Sequence, residues 1–133
     1  SVYVADFIGD VNIIEGAASQ SGDKVLDTWA EGASPLVATS TAILTKDQHC
    51  YLAIRPEKIT ITAEEPETTN KVHGEIIDIG YLGNISTYHV KLPTGHMVKA
   101  QSTNTRRLSR RNFTWEDKVW LSWSDTAAVL LER

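Results

Sequence analysis

A single cysteine, Cys50, stands among the 133 residues, which excludes an internal disulfide framework and suits a reducing compartment. Long apolar runs are missing too. The longest, 50–54 and 127–131, fall far short of the roughly 20 residues that a membrane-spanning helix needs. Positive charge is in slight deficit, with 13 Lys and Arg against 17 Asp and Glu for a net charge of -4, and this argues against a chain devoted to nucleic acid or anionic lipid. The chain opens Ser1-Val2-Tyr3-Val4 with neither an initiator Met nor a secretory pattern, so its start reads as a cut inside a longer protein. What remains is ordinary: 41% apolar and 23% charged residues, enough for one compact domain or two very small ones.

The first residues differ from the rest. Val2, Val4, Ala5 and Ile8 follow helical spacing, and Gly9-Asp10 is a stop, so residues 1–10 read as a short connector helix from a missing upstream domain. From residue 11 to 133 the pattern is β. Short apolar or alternating runs fall at 11–14, 24–29, 35–39, 48–55, 59–63, 72–81, 85–92, 96–101, 118–123 and 127–131, most of them separated by Gly, Pro, Asn or Asp. The clearest pair is 85–92 with 96–101, a hairpin turned at Pro93-Thr94-Gly95. Residues 62–72 hold Glu64, Glu65 and Glu67 around Pro66 and read as a loop or linker. No internal repeat is visible.

The residue sets that chemistry requires are thinly supplied. No Gly-x-x-x-x-Gly-Lys-Ser/Thr loop is present to cradle a phosphate, and Gly80-Tyr81-Leu82-Gly83-Asn84 lacks the lysine and the helix such a loop needs, so it reads as a bulge or turn. His49, His73, His89 and His96 sit on separate expected strands without metal-ligand spacing. His49 and Cys50 adjoin, but neighbours on a strand point to opposite faces. The Glu64, Glu65 and Glu67 carboxylates read as a solvated loop rather than as an acid/base pair. Arg106, Arg107, Arg110 and Arg111 with Phe113 and Trp115 could form an oligonucleotide groove, against which stands the absence of aromatics interleaved through several strands.

Two segments carry a resemblance. Leu52-Ala53-Ile54-Arg55-Pro56-Glu57-Lys58-Ile59 and Gly74-Glu75-Ile76-Ile77-Asp78-Ile79-Gly80-Tyr81-Leu82-Gly83-Asn84, continuing to Tyr88-His89-Val90 and the Gly95 turn, together with Phe7-Ile8-Gly9, resemble the TOBE (transport-associated OB) domain. This is the C-terminal regulatory region of ABC-transporter ATP-binding subunits, and the resemblance is closest to the polyamine branch, its putrescine-transport members above all. It implies an all-β, OB-fold-like small barrel with a short N-terminal helix. It also implies a non-catalytic regulatory and dimerisation domain of a bacterial polyamine (putrescine or spermidine) importer. The fragment would hold no cofactor, its parent would use ATP and Mg²⁺, and the partners would be a second copy and transmembrane permease subunits at the cytoplasmic face of the cell membrane.

On this reading Arg55, Pro56, Glu57, Gly74, Tyr81, Leu82, Gly83 and Gly95 are structural signature residues. Arg55 and Glu57 share one side of an extended chain, Pro56 ends or bends the strand, and Gly80 and Gly83 bracket a bulge. Trp120 and Trp123, taken as exposed-face aromatics, are the candidate self-association anchors; the alternative is that they close the barrel core. Two other classes stay open: a small-ligand-sensing barrel for a polyamine or an oxyanion, in which Asp78 and Glu75 would meet an ammonium group, and an OB-type nucleic-acid-binding domain.

Overall fold

In the computed structural model the described residues are 10–21, 24–30, 34–39, 45–103 and 113–131. The expected helix at 1–10 lies almost wholly outside them, and the arginine cluster does so entirely. Among the described residues ten strands form: β1 (Asn12–Ser21), β2 (Lys24–Thr28), β3 (Leu36–Thr39), β4 (Gln48–Ile54), β5 (Thr60–Thr62), β6 (Asn70–Leu82), β7 (Ile85–Lys91), β8 (Met97–Thr103), β9 (Lys118–Trp123) and β10 (Ala128–Leu131). The all-β expectation holds, and each expected run overlaps a strand. β1 runs well past the expected residue 14 because Gly16, Ala17 and Ala18, weak strand formers by themselves, are all paired by β4, and Ala17 and Ala18 by β2 as well.

The chain divides into two compact units that are discontinuous in sequence: 1–55 with 68–70 and 123–133, and 56–67 with 71–122. The first holds a five-stranded sheet of order β10-β4-β1-β2-β3, the second one of order β5-β9-β6-β7-β8. The two orders are the same scheme. Each has a three-strand meander (β1-β2-β3 or β6-β7-β8), a fourth strand returning to the first (β4 or β9), and a flanking strand (β10 or β5). The flanking strands are exchanged along the chain, since β5 follows β4 and β10 follows β9. In each unit the two edge strands, β3 with β10 and β8 with β5, approach one another without sharing a ladder among the described residues. Each sheet is therefore curled and open.

The first unit buries Ile14, Ala18, Leu36, Ala38, Cys50, Leu52 and Ile54. Asn70 is 1% exposed, and its amide grips the backbone of β3: the Val37 N–H donates to Oδ1 (2.7 Å) and Nδ2 donates to the Val37 carbonyl (2.8 Å). The side chain thus does for one residue of an edge strand what a neighbouring strand would do. Lys24 and Asp125 form an ion pair at the surface of the same unit, and the Lys24 ammonium holds the Asp125 carboxyl below its ordinary value. A depressed carboxylate contributes stability above its unfolded value, near pH 4, and loses it as pH falls further. Asp125→Asn is accordingly expected to lower the urea midpoint slightly at pH 7 and not at all at pH 2; an equal loss at both pH values would refute the pairing.

In the second unit Val72, Ile76, Ile79, Tyr88, Val90, Val98, Ala100, Val119 and Leu121 form the buried side. β7 shows the period-2 logic plainly: Ser86, Tyr88 and Val90 are buried while Thr87, His89 and Lys91 point the other way. The Tyr88 ring meets Phe113 edge-on at 5.8 Å, and burial raises its hydroxyl pKa.

Candidate functional site

Three of the signature residues follow each other at the end of β4, where the structure departs from the extended chain that the sequence implies. Pro56–Lys58 is a 3-10 turn, closed by the Ile59 N–H donating to the Pro56 carbonyl at 3.2 Å. Pro56 has the fixed φ such a turn needs and no N–H to lose. It is buried, whereas Glu57 is exposed. Beside this turn a groove of about 570 Å³ lies in the second unit, where β5 and β8 leave their sheet open. Glu57, Thr60, Ser102 and Thr103 line it with oxygen atoms, and Ile61 and Ile85 with apolar surface. Its charged lining group among the described residues is a carboxylate, so the groove suits a cation better than an oxyanion.

The glycines play different roles. Gly74 sits where β6 passes close to β7: a Cβ there would come within 2.5 Å of the Lys91 carbonyl oxygen and 2.8 Å of Val90 Cγ1. Gly83 has φ 63° and is the first residue of the two-residue turn between Leu82 and Ile85, so the Gly80–Gly83 stretch is the end of a hairpin rather than a bulge. The bulge lies earlier, where the register shifts between Ile76 and Asp78 and leaves Ile77 extra. Gly95, with φ 95°, turns the β7–β8 hairpin, whose ends are tied by the Leu92 N–H to the His96 carbonyl at 2.8 Å. That hairpin is where the sequence placed it.

The two candidate tryptophans separate. Trp123 is 5% exposed and its Nε1 has no hydrogen-bond partner among the described residues, so it is not the exposed-face aromatic that a self-association anchor requires. Trp120 is half-buried under neighbours from β6: the His73 ring at 5.0 Å and the Lys71 ammonium at 6.0 Å. Lys71 also pairs with Glu65 at 2.9 Å and donates to the Pro66 carbonyl at 3.2 Å, fixing the acidic loop. The large exposed apolar side chains are elsewhere. Leu82 is 81% and Tyr81 62% exposed at the tip of the β6–β7 hairpin, with Ile77, Met97, Trp115 and Val129 about half exposed.

Of the other polar residues considered, Glu75 pairs with Lys118 at 3.1 Å, His49 with Glu15, and Asp78 Oδ1 accepts the Ile79 N–H at 3.0 Å. Among the described residues no three His, Cys, Asp or Glu side chains gather to hold a metal ion. The outward face of β7 and β8 presents Ile85, Thr87, His89, Lys99 and Gln101, with no stacked aromatic rings for nucleobases. Asn70 went unrecognised in the sequence because one asparagine beside a loop carries no periodic signal.

Comparison with known proteins bears on what this arrangement serves. Residues 52–131 match the TOBE domain family. Over 131 residues the chain is 37% identical to the putrescine transport ATP-binding protein PotG of Escherichia coli, covering 97% of this chain and 35% of that protein. It is 28% identical to the spermidine/putrescine import ATP-binding protein PotA of Nitrosomonas eutropha, with 97% and 36% covered. The chain thus spans about a third of the length of the curated relatives it matches. In three dimensions it is similar to the cytoplasmic molybdate-binding protein ModG, with a TM-score of 0.76 at 10% identity over 92% of this chain and 96% of that one. That likeness is one of OB-type fold.

Proposed function

The chain belongs to the TOBE domain family, and from that premise we propose that it is the non-catalytic regulatory and dimerisation part of the ATP-binding subunit of a bacterial polyamine importer. The observation that carries the reading is the match of 97% of the chain to an ATP-binding protein of putrescine transport. In such a subunit ATP and Mg²⁺ are handled outside these residues, and transmembrane permeases are the partners at the cytoplasmic face of the membrane. A contact between two copies of this domain would keep two ATP-hydrolysing partners together while their nucleotide faces open and close, raising their effective concentration for each closure. Arg55, Pro56, Glu57, Gly74, Gly83 and Gly95 then shape the fold, and Tyr81 and Leu82 are better placed than Trp123 to make contacts.

Two measurements test this. The purified chain is expected to release no phosphate from Mg-ATP above a heat-inactivated blank; turnover would overturn the non-catalytic assignment. Its mass by sedimentation equilibrium is expected to rise toward that of a dimer as concentration increases; a monomer throughout would overturn self-association.

The groove beside Glu57 supports a second reading, a sensor for a small polyamine. A ligand that binds only the folded state raises the melting temperature, so putrescine or spermidine at millimolar concentration is expected to shift it upward and molybdate to leave it unmoved. No shift with either amine would remove this reading.

A further inference from the structure

β6 is the longest strand, and its two halves are paired differently. Ile76 exchanges hydrogen bonds with the segment leading into β9: its N–H donates to the Asp117 carbonyl at 3.0 Å and its carbonyl accepts the Glu116 N–H at 2.7 Å. That segment then turns away, the Asp117 N–H reaching the Thr114 carbonyl. Over 77–82 the strand is paired among the described residues by β7 alone. This outer half carries Ile77 at 45%, Tyr81 at 62% and Leu82 at 81% exposure, with no lysine or proline to blunt it. One guard is present, the Asp78 carboxylate that accepts the Ile79 N–H.

Gly80 lies in the middle of this half-strand, and nothing inside the chain asks for it. A Cβ built there meets no atom within 4 Å, and its φ is not in the left-handed region. Glycine weakens a strand, and one with no internal reason often marks a place where another backbone or side chain comes close.

We infer that the 77–82 edge of β6 pairs antiparallel with the same edge of a second copy, across a two-fold axis through Gly80. The inference rests on the self-association reading above and gives that contact its place. In this register Gly80 faces Gly80, Ile79 faces Tyr81 twice and Asp78 faces Leu82 twice. Leu82 of each copy lies diagonal to the other copy's Gly80, so the missing side chain makes room for it. An isologous contact of this kind closes on itself, which uses up both exposed edges at once and leaves none to propagate. The Ile79 N–H exchanges the Asp78 carboxylate for the partner's Tyr81 carbonyl, so the lone chain keeps its edge closed until the second copy arrives.

The test uses Gly80→Cys and Leu82→Asp in the full 133-residue chain. Opposed residues of an antiparallel pair have Cα atoms about 4.5–5.5 Å apart, within disulfide range, and Cys50 is fully buried. Under mild oxidation Gly80→Cys is expected to form a covalent dimer on a non-reducing gel while Thr103→Cys, on β8, does not. Leu82→Asp is expected to weaken the dimer at least tenfold by sedimentation equilibrium. Dimerisation that persists in Leu82→Asp, with no Gly80→Cys cross-link, would overturn this surface and leave self-association standing. A wild-type chain that stays monomeric at several hundred micromolar would overturn both.

Discussion

Replacing Gly74 by alanine is expected to cost about 3 kcal/mol of unfolding free energy, the upper part of what overpacking a well-packed site costs. The added methyl would stand 2.5 Å from the Lys91 carbonyl oxygen and 2.8 Å from Val90 Cγ1. Neither neighbour can give way cheaply. Lys91 is held in register opposite both Glu75 and Met97, and Val90 is fully buried with a β-branched side chain that has little rotamer freedom. The clash must therefore be relieved by parting β6 from β7, which lengthens ladder hydrogen bonds on both sides of the site. The matched comparison is Gly80→Ala, where no atom lies within 4 Å and the backbone angle is ordinary. At concentrations where the chain is monomeric that variant is expected to be neutral or slightly stabilising, since alanine restricts the unfolded chain. Urea denaturation of both variants decides the matter. A loss below about 0.5 kcal/mol for Gly74→Ala, within the range of an ordinary surface change, would mean that the strands part without cost.

The second large effect is expected at Asn70. Asn70→Asp keeps the size of the side chain and one acceptor, but it replaces the donor to the Val37 carbonyl by a second oxygen and places a carboxylate at a site only 1% exposed. Two oxygens then face each other in a buried place, and a loss of about 3 kcal/mol at pH 7 is expected. The sign of its pH dependence is fixed by the environment. Burial raises the folded pKa of the introduced acid above its unfolded value near 3.9, so the charged form is what destabilises, and the loss shrinks as pH falls toward 4. Once protonated, the acid can again donate to the Val37 carbonyl. Asn70→Ala, which leaves both Val37 groups unpaired, is expected to cost about 2 kcal/mol with no such pH dependence. Unfolding midpoints of the two variants at pH 7 and pH 4 give the answer, and equal losses for Asn70→Asp at both pH values would refute the account.

These two positions mark how far the chain could be read in advance. Gly74 stood out in the sequence as part of a family-like run, yet its reason, a carbonyl on another strand, is a contact between residues 17 apart. Asn70 had no signal at all, since its partner Val37 is 33 residues away. The Gly95 turn was legible because its chemistry is local, a positive φ that only glycine adopts freely; Gly83 has the same φ but turns a hairpin where a bulge was expected. At Arg55-Pro56-Glu57 the end of the strand was legible, but not that the chain coils there instead of staying extended. Proline reports its own φ but not whether the next residues continue a strand or coil into a 3-10 turn, and here the turn is closed by the Ile59 N–H.

The sequence by itself determined that the chain is all-β, roughly where the strands of the described residues lie, that Gly95 turns a hairpin, and the family to which the chain belongs, because alternation, turn residues and motifs are local properties. Only the tertiary structure decided the pairing of those strands into two sheets of one order with their flanking strands exchanged. Pairing is a long-range choice made by burial and hydrogen-bond satisfaction, and an exchanged strand leaves no repeat for the eye to find. The same holds for exposure. Trp120 and Trp123 read alike as exposed-face aromatics, but the folded sheet covers Trp123 and leaves Tyr81 and Leu82 exposed at the tip of the β6–β7 hairpin.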